Sequence, residues 1–268
     1  MIKISLTVIT FNEEKNILRC LNSVLGLVEE IVIIDSFSTD KTKEICLAFA
    51  EKYAQEIQFK FLENPFEGYV IQKNYAISKA TYSLILSLDA DEAISDDLKT
   101  SILAIKQSGR ENILTQNTLR EVYEMPRLTN YCGSWIKHTD WYPDKKIRLF
   151  DKNIARWYGI SLHETIQTDA NITIKPLKGD ILHYSFYSIK QHLEQLNKFT
   201  DIGAKEAFEN GKKASFVKIF GSPILKFFSS YIVRLGFLDG YAGFLVCAIS
   251  AFASFIKYIK LRELWKHK

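Results

Sequence analysis

The stretch Ser83–Glu92, SLILSLDADE, is an apolar run that ends in three acidic residues. A short continuous apolar run is typical of a strand buried on both faces, so Ser83–Leu88 is predicted to be a central β-strand. Side chains two positions apart on a strand share a face, so Asp89 and Asp91 are expected to converge at its carboxyl end. Two neighbouring carboxylates suit a divalent cation, Mg²⁺ or Mn²⁺, that keeps positions open for phosphate oxygens. We therefore expect this strand end to hold a metal and a nucleotide diphosphate.

Strand-like and helix-like patterns alternate before this stretch. The predicted strands are Ile4–Thr10, Glu30–Asp35 and Ile57–Leu62, and the predicted helices lie near Ile17–Leu25, Ile45–Tyr53 and Tyr69–Lys79. The alternation indicates right-handed crossovers and a mostly parallel sheet, which makes the fold α/β. Ligands bind such sheets at the carboxyl ends of the strands, where Thr10, Asp35 and Asp89 are expected.

The residues between the elements supply helix caps and turns. Thr10–Glu13 fits a capping box for the first helix, and Ser95 is the expected N-cap of a helix after the central strand. Residues 109–119 are polar and are predicted to form a loop. From Val122 to about Ser185, short strand-like runs separated by turn signals predict a mixed or antiparallel extension of the same sheet.

Composition narrows the class of partner and the compartment. The formal net charge of the 268-residue chain is only +4, but Lys and Arg gather in its last quarter beside long apolar runs. This pattern favours an anionic membrane surface and argues against nucleic acid as a partner. The four cysteines are scattered without metal-ligand spacing, which is typical of reduced thiols in the cytosol. The start, MIKISLTVITFNEEK, does not fit a signal peptide, so export is not expected.

The C-terminal segment is the most apolar part of the chain. Tyr241–Ile256 is apolar apart from Ser250 and Ser254, yet it is slightly shorter than the roughly 20 residues that cross a bilayer. We therefore expect an interfacial or re-entrant hairpin. The basic residues that would meet anionic headgroups are Lys257, Lys260, Arg262, Lys266 and Lys268. The alternatives are a buried helix pair or a homodimer interface.

Several motifs follow one another in a specific order. They are VITFNEEKNI at 8–17, EIVIIDSFSTDKT at 30–42, QKNYAI at 72–77 and LSLDADE at 86–92. This series resembles the family 2 glycosyltransferases, whose GT-A fold is a Rossmann-like, mostly parallel sheet with an antiparallel extension. Later motifs are similar to the lipopolysaccharide core branch that adds a β-linked glucose to heptose: WYPDKKIRLF at 141–150, LHE at 162–164, GDILHYS at 179–185 and YIVRLGFLDG at 231–240.

The resemblance implies roles for the residues at the strand ends. Thr10, Phe11 and Asp35 would line the pocket for the base and ribose, with Asp35 on the uracil and Phe11 as a stacking face. Asp91 of the D-x-D pattern would be the main metal ligand, and Asp89 would hold the ribose or the metal. The structural alternatives are a helix cap for Asp35 and an ordinary acidic turn for Asp89 with Asp91.

The resemblance also implies a catalytic base. Glu164 in LHE matches the family's carboxylate that removes the proton of the acceptor hydroxyl, and Asp144 is the reserve candidate. His163 is a candidate for completing the metal sphere or holding a phosphate, although a lone His is more often structural. Lys73 is a candidate for binding the donor phosphates, with a solvated helix face as the alternative.

Aromatic and basic residues near the middle of the chain suggest the acceptor side. Trp141 and Tyr142 offer faces that stack on sugar rings, and Arg148 can grip an anionic phosphate. Core packing is the alternative for Trp141. His183 and Tyr184 are expected to be structural.

We therefore expect an inverting, metal-dependent glycosyltransferase that moves a hexose from a UDP-sugar to a lipopolysaccharide core or related cell-surface glycan. Glucose is the expected hexose. The alternatives are transfer of another sugar to a lipid-linked glycan precursor, or a catalytically silent membrane adaptor. A nucleotidyltransferase is disfavoured because TFNEEKN lacks a Gly-rich phosphate loop.

The same resemblance sets the expected organisation and location. A GT-A catalytic domain would cover residues 1–187, with the nucleotide-sugar half at 1–110 and the acceptor half at 120–187. Residues 188–268 would form membrane-associating helices. We expect a cytoplasmic protein that is peripheral or monotopic on the cytoplasmic face of the inner membrane, with a glycan or glycolipid acceptor.

Overall fold

A computed structural model describes residues 2–112, 121–159 and 164–266, with the backbone alone at residues 108–112. The chain divides into two compact units. Unit 1 consists of Met1–Arg127 and Lys145–His183, and unit 2 consists of Leu128–Asp144 and Tyr184–Lys268. The predicted domain boundary at residue 187 is close to one of these divisions, but unit 2 also contains a segment that was predicted to belong to the catalytic domain.

Unit 1 contains the predicted parallel sheet. Its strands are β1 (Ile4–Thr10), β2 (Glu30–Asp35), β3 (Gln58–Glu63) and β4 (Leu84–Asp89), in the spatial order β3-β2-β1-β4. The connecting helices are α1 (Ile17–Ser23), α2 (Thr42–Lys52) and α3 (Tyr69–Lys79). All three pairings within this group are parallel, so the predicted α/β class is confirmed. The bounds of β1, β2 and α3 are those predicted.

The central strands are buried on both faces because helices cover both sides of the sheet. Along β2, Ile31 and Ile33 join one apolar cluster, while Val32 and Ile34 join another that includes Ala76 of α3. Such strands need continuous apolar runs, as in EIVIID. The parallel strands therefore end together at one edge of the sheet, where their polar residues collect.

The second half of the chain extends the sheet as predicted. The further elements are β5 (Glu92–Ile94), α4 (Asp96–Asn112), β6 (Val122–Tyr131), β7 (Ser134–Ile136), β8 (Asp144–Asp151), β11 (Ile174–Pro176) and β12 (Ile181–Phe186). The full order is β3-β2-β1-β4-β8-β6-β12-β5, and β7 and β11 both pair with β6. β8 is antiparallel to β4, and β11 is parallel to β6, so the extension is mixed. β9 (Ala155–Tyr158) and β10 (Thr165–Thr168) form a separate antiparallel pair.

Three local predictions are wrong. β4 ends at Asp89, and the chain turns at Ala90 and Asp91 before β5, so the two acids are not neighbours on one strand face. The capping box fails because the Thr10 hydroxyl donates to Asp35 instead of capping α1. The predicted loop at 109–119 begins too early, because α4 continues to Asn112; its remainder lies outside the described residues. The predicted cap Ser95 does accept a hydrogen bond from the Leu98 N–H.

Unit 2 carries the helical segment. Its helices are α5 (Ile189–Glu209), α6 (Phe216–Phe228), which continues as a π-helical turn at Ser229–Val233, and α7 (Gly240–Lys266). Two stretches, Phe216–Val233 and Gly236–Lys266, are long and apolar enough to cross a membrane by length and composition alone. The first is only 11% buried, so its apolar side chains mostly face outward.

Candidate functional site

The carboxyl end of β4 lies in a cluster of alternating charges within unit 1. Lys73 of α3 places its Nζ 2.8 Å from Asp89 Oδ1 and 2.9 Å from Glu164 Oε1. The second oxygen of Asp89 accepts a hydrogen bond from Arg148 Nη2 at 2.7 Å. Lys73 and Arg148 are both only 4% exposed, so these contacts are shielded from water. The structure thus brings four of the predicted site residues together.

Glu92 is the buried anchor of this cluster. Its side chain is fully buried and accepts two hydrogen bonds from Arg148, Nε to Oε2 at 3.1 Å and Nη2 to Oε1 at 2.8 Å. Arg127 adds a second cation, with its Nη1 3.3 Å from Glu92 Oε1, and the Asp89 N–H donates to Glu92 Oε2. A bidentate arginine matches a carboxylate in both charge and shape. Glu92 therefore closes the turn after β4 and fixes Arg148.

The position of Arg148 limits what its guanidinium can do. It was predicted to bind an acceptor phosphate. In the structure it is buried against Glu92 and Asp89. Its acceptor role stays a prediction, and its visible contacts are those of a positioning residue.

Trp157 of β9 lies under both cations and was missed by the sequence analysis. Its ring centroid is 4.2 Å from Lys73 Nζ and 5.2 Å from Arg148 Cζ. Asn74 exchanges two hydrogen bonds with the Trp157 backbone, which fixes β9 against α3. The indole face attracts cations and excludes water, so it strengthens the charge cluster. Buried and exposed side chains alternate along Ala155–Tyr158, and the sequence ARWY has the same two-residue alternation of apolar and more polar residues.

These surroundings shift the ionisation of the cluster. Burial opposes ionisation of Asp89, but the charges of Lys73 and Arg148 outweigh it and hold its pKa well below the usual range. Burial likewise opposes ionisation of Glu92, and Arg148 overcomes it, so the pKa of Glu92 is lowered. The pKa of Arg148 is raised by Glu92 and Asp89 against the opposing effect of burial. All three groups therefore stay charged at neutral pH.

The ends of β1 and β2 are joined by a second polar group. Asp35 is buried and accepts hydrogen bonds from the hydroxyls of Thr10 and Ser38, at 2.7 and 2.6 Å, and from the Ser38 N–H at 2.7 Å. A carboxylate has about four lone-pair sites, so these three bonds leave one further acceptor position. The predicted nucleoside contact stays a prediction, whereas the helix-cap alternative is wrong, because α2 begins at Thr42 after Lys41 and has no side-chain cap. The observed bonds fix the loop that follows β2.

Two aromatic side chains are exposed beside this group. Phe11 is 59% exposed and Phe37 is 53% exposed. Their loops are joined by hydrogen bonds from the Asn12 N–H to Ser38 Oγ and from the Thr39 N–H to Asn12 Oδ1, both 2.8 Å. Exposed rings on loops fixed in this way are available for stacking on a planar ligand.

Asp91 has a different environment from Asp89. Its Oδ2 lies 3.2 Å from His183 Nε2, and the Nδ1 of His183 is buried without a hydrogen-bond partner in the described part of the chain. His183 was expected to be structural, so its place beside the acids was missed. The predicted ligand His163 lies outside the described residues.

The D-x-D turn offers few donors for Mg²⁺ or Mn²⁺. Within residues 2–112, 121–159 and 164–266, no group of three or more metal-binding side chains is arranged to hold an ion. Such ions are often held by one or two protein ligands, with substrate phosphates and water completing the sphere. Asp91 with His183 fits that pattern. Asp89 does not, because cations occupy both of its oxygens.

Glu13 is a further acid at this edge that was not predicted. Burial and then the charges of Asp91, Asp40 and Asp89 raise its pKa to about 6, although a hydrogen bond from Asn16 acts in the opposite direction. Its position shows how strongly negative this edge is around the D-x-D pattern. A cationic ligand would relieve that repulsion.

The predicted acceptor aromatics belong to unit 2. The ring of Trp141 packs on Phe186, Tyr131 and His192, with centroid distances of 5.7, 6.0 and 5.5 Å. These are core contacts, as in the alternative stated for Trp141. Tyr142 follows in the chain, and the reserve base Asp144 begins β8. Their functional roles stay predictions.

Comparisons with known proteins place this geometry in a family. Residues 5–168 match the family described as glycosyl transferase family 2. An uncharacterized glycosyltransferase of Rickettsia typhi is 31% identical over 98% of the chain and 88% of its own length. The lipopolysaccharide core biosynthesis glycosyltransferase LpsC of Rhizobium meliloti is 24% identical over 97% of the chain and 92% of its own length. Among solved structures, S. aureus TarS 1–349 aligns with 99% of the chain and 92% of its own at 18% identity, with a TM-score of 0.44.

The cluster predicts a pH-dependent loss of stability in Arg148→Met. Removing the cation leaves Glu92 buried without its main partner, which costs about 3–5 kcal/mol at pH 7. Because the folded-state pKa values of Asp89 and Glu92 are lowered, their stabilisation is present above the unfolded values near 4 and is lost as pH falls further. The difference between wild type and variant should therefore shrink at pH 3, as measured by denaturant unfolding.

The matched control is Lys43→Met, which removes a cation from the exposed pair with Glu63 and should cost about 1 kcal/mol or less. A loss in Arg148→Met no larger than in this control, or one that is the same at both pH values, would contradict the assignment.

Proposed function

The chain belongs to glycosyl transferase family 2 and is a glycosyltransferase. From this premise we propose that it transfers a hexose, with glucose as the preferred sugar, from a UDP-sugar with inversion at the anomeric carbon. One observation carries the proposal. Lys73 bridges Asp89, at the end of β4, to Glu164, so a carboxylate lies beside the edge at which an α/β sheet binds its ligand.

Glu164 is the proposed base. Its Oε1 is held by Lys73, whereas its Oε2 makes no hydrogen bond within the described residues. One oxygen is thus fixed and the other is left to accept a proton. The acceptor oxygen forms a bond to the anomeric carbon, the bond from that carbon to the UDP oxygen breaks with its electron pair, and the hydroxyl proton goes to Glu164.

The donor lies along the ends of β1, β2 and β4 in this proposal. Phe11 offers an exposed face to the uracil ring, and the remaining acceptor position of Asp35 suits an imide N–H or a hydroxyl. Lys73 fixes Asp89 and Glu164 in place and supplies positive charge near the diphosphate. Trp157, whose ring contacts Lys73, and Arg148, which is bonded to Asp89, fix this part of the site and exclude water from it.

A divalent cation would be held by Asp91, with His183 as the second donor. When bound, it neutralises the charge that develops on the departing diphosphate. Asp91 is suited to this because its carboxylate is not occupied by a lysine or arginine in the described structure, unlike that of Asp89.

The acceptor we propose is a lipopolysaccharide core or related surface glycan built on a lipid. The similarity to LpsC over nearly the whole chain supports this class. The apolar surface of α6 and α7 supports docking on the cytoplasmic face of the inner membrane. Docking would raise the effective concentration of a lipid-borne acceptor, because enzyme and acceptor then meet on one surface.

Asp91→Asn should abolish sugar transfer and the metal-dependent part of UDP binding, because an amide is a poor ligand for a hard cation. UDP release from UDP-glucose and UDP titration with and without Mn²⁺ measure the two effects. Asp96→Asn, which makes the same change at an exposed position of α4, is the control and should behave as wild type. Near-normal turnover in Asp91→Asn would remove the metal assignment.

Glu164→Gln should keep the affinity for UDP and reduce kcat by about a hundredfold or more, since an amide can still accept from Lys73 but cannot take up the proton. Glu67→Gln, at an exposed position, is the matched control and should leave kcat unchanged. Weakened UDP binding with unimpaired turnover would show that Glu164 binds the UDP-sugar and is not the base.

Membrane docking predicts that Val217→Glu with Leu225→Glu weakens sedimentation with vesicles at least about tenfold. These side chains are 81% and 71% exposed, so the change removes apolar contact with lipid without disturbing the core. Leu18→Glu with Leu47→Glu adds the same charge at exposed positions of α1 and α2 and should have little effect. Equal losses in both variants would argue against docking through α6.

A further inference from the structure

Unit 2 contains a cavity of about 510 Å³ between α5, α6 and α7. Its floor is aromatic, formed by Trp141, Phe186 and His192. Burial lowers the pKa of His192 to about 4, so this end of the cavity is uncharged at neutral pH. The cavity is large enough for part of a small amphipathic molecule.

Small residues keep the cavity open. On α7, Ser250, Ala253 and Ser254 recur at helical spacing and line it. On α5, Gly203 lies beside Lys257, and a Cβ at that glycine would be 3.4 Å from Lys257 Cε. The absence of a side chain at Gly203 thus leaves room for the lysine stem. None of these small residues fills the space, and none of them pairs with Lys257.

The charge of the cavity is not balanced. Lys226 is paired with Asp140, and Lys260, one turn from Lys257, is paired with Asp201. Lys257 has no carboxylate or hydrogen-bond partner among the described residues, although it lies on the cavity wall. A cation beside an apolar wall without a counter-ion is a site for an anion that carries an apolar portion of its own.

Unit 2 also exposes apolar side chains, both at the cavity and on α6. Phe199 lines the cavity and is 43% exposed, and Tyr258 adds an aromatic face next to Lys257. On α6, Phe220, Ile224 and Phe228 are each 58% exposed. An apolar surface of this extent on a helix needs a partner, and acyl chains match it.

We propose that this cavity binds one anionic phospholipid, with its phosphate on Lys257 and its chains along the apolar wall. This inference deepens the proposed membrane docking and names its partner. A free phosphate fits less well, because a single unpaired cation is available and the apolar wall would stay wet. A second copy of the chain would bring apolar side chains but no anion to Lys257.

The test uses the full chain in detergent, with bound lipid counted by native mass spectrometry during titration with phosphatidylglycerol or phosphatidylcholine. We expect one phosphatidylglycerol to be retained at least about tenfold more tightly than phosphatidylcholine. Lys257→Gln should remove this preference. Lys266→Gln, which removes the same charge from an exposed position of α7, should keep it. Ser254→Leu should fill the cavity and lower retention of both lipids.

Equal effects of Lys257→Gln and Lys266→Gln would overturn the site, since they would indicate general attraction to the surface charge. No retained lipid, or dimers that form without lipid, would also overturn it. Vesicle sedimentation distinguishes membrane docking from the phospholipid site. Wild-type protein that sediments with vesicles but shows no preference for phosphatidylglycerol in detergent contradicts the cavity site alone. UDP release from UDP-glucose tests the transferase activity independently of both, and unchanged melting temperatures show that the variants are folded.

Discussion

The buried contact between Arg148 and Glu92 is the constraint on which the site depends. Glu92 is fully buried and starts β5, and Arg148 comes from β8, so the pair joins two strands from distant parts of the chain. A buried carboxylate without a cation would be strongly unfavourable. Since Arg148 also reaches Asp89, the same contact fixes the end of β4. The positions of Lys73 and, through it, Glu164 follow from that arrangement.

The network explains why two acids in one short motif have different properties. Asp89 is held by two cations and serves to position the site, whereas Asp91 lies in the turn beside His183. A divalent cation that comes with a diphosphate needs few protein ligands. The motif therefore provides one structural carboxylate and one that is suited to a metal. Glu13 lies at the same edge, where burial and then the charges of the nearby acids raise its pKa.

The sequence predicted the parallel core well and the details of the site less well. β1, β2 and α3 follow from apolar runs and helical spacing, which are local signals. The turn at Ala90 and Asp91 had only a weak signal, since Asp is common in turns and rare in strands but no Gly or Pro marks the position. The pairing of Arg148 with Glu92, 56 residues apart in the chain, is set by tertiary packing and leaves no local pattern. Trp157 had a signal, since burial alternates along β9, but its place under Lys73 depends on the fold.

The central claim is that the carboxyl ends of β1, β2 and β4 hold the diphosphate of an activated sugar through a cation at Asp91. A crystal structure with UDP and Mn²⁺, in which the anomalous signal of manganese locates the ion, tests it most directly. We expect one manganese ion at Asp91, beside the diphosphate of UDP. A diphosphate bound away from Asp91, or a manganese ion that contacts UDP elsewhere on the protein, would contradict it.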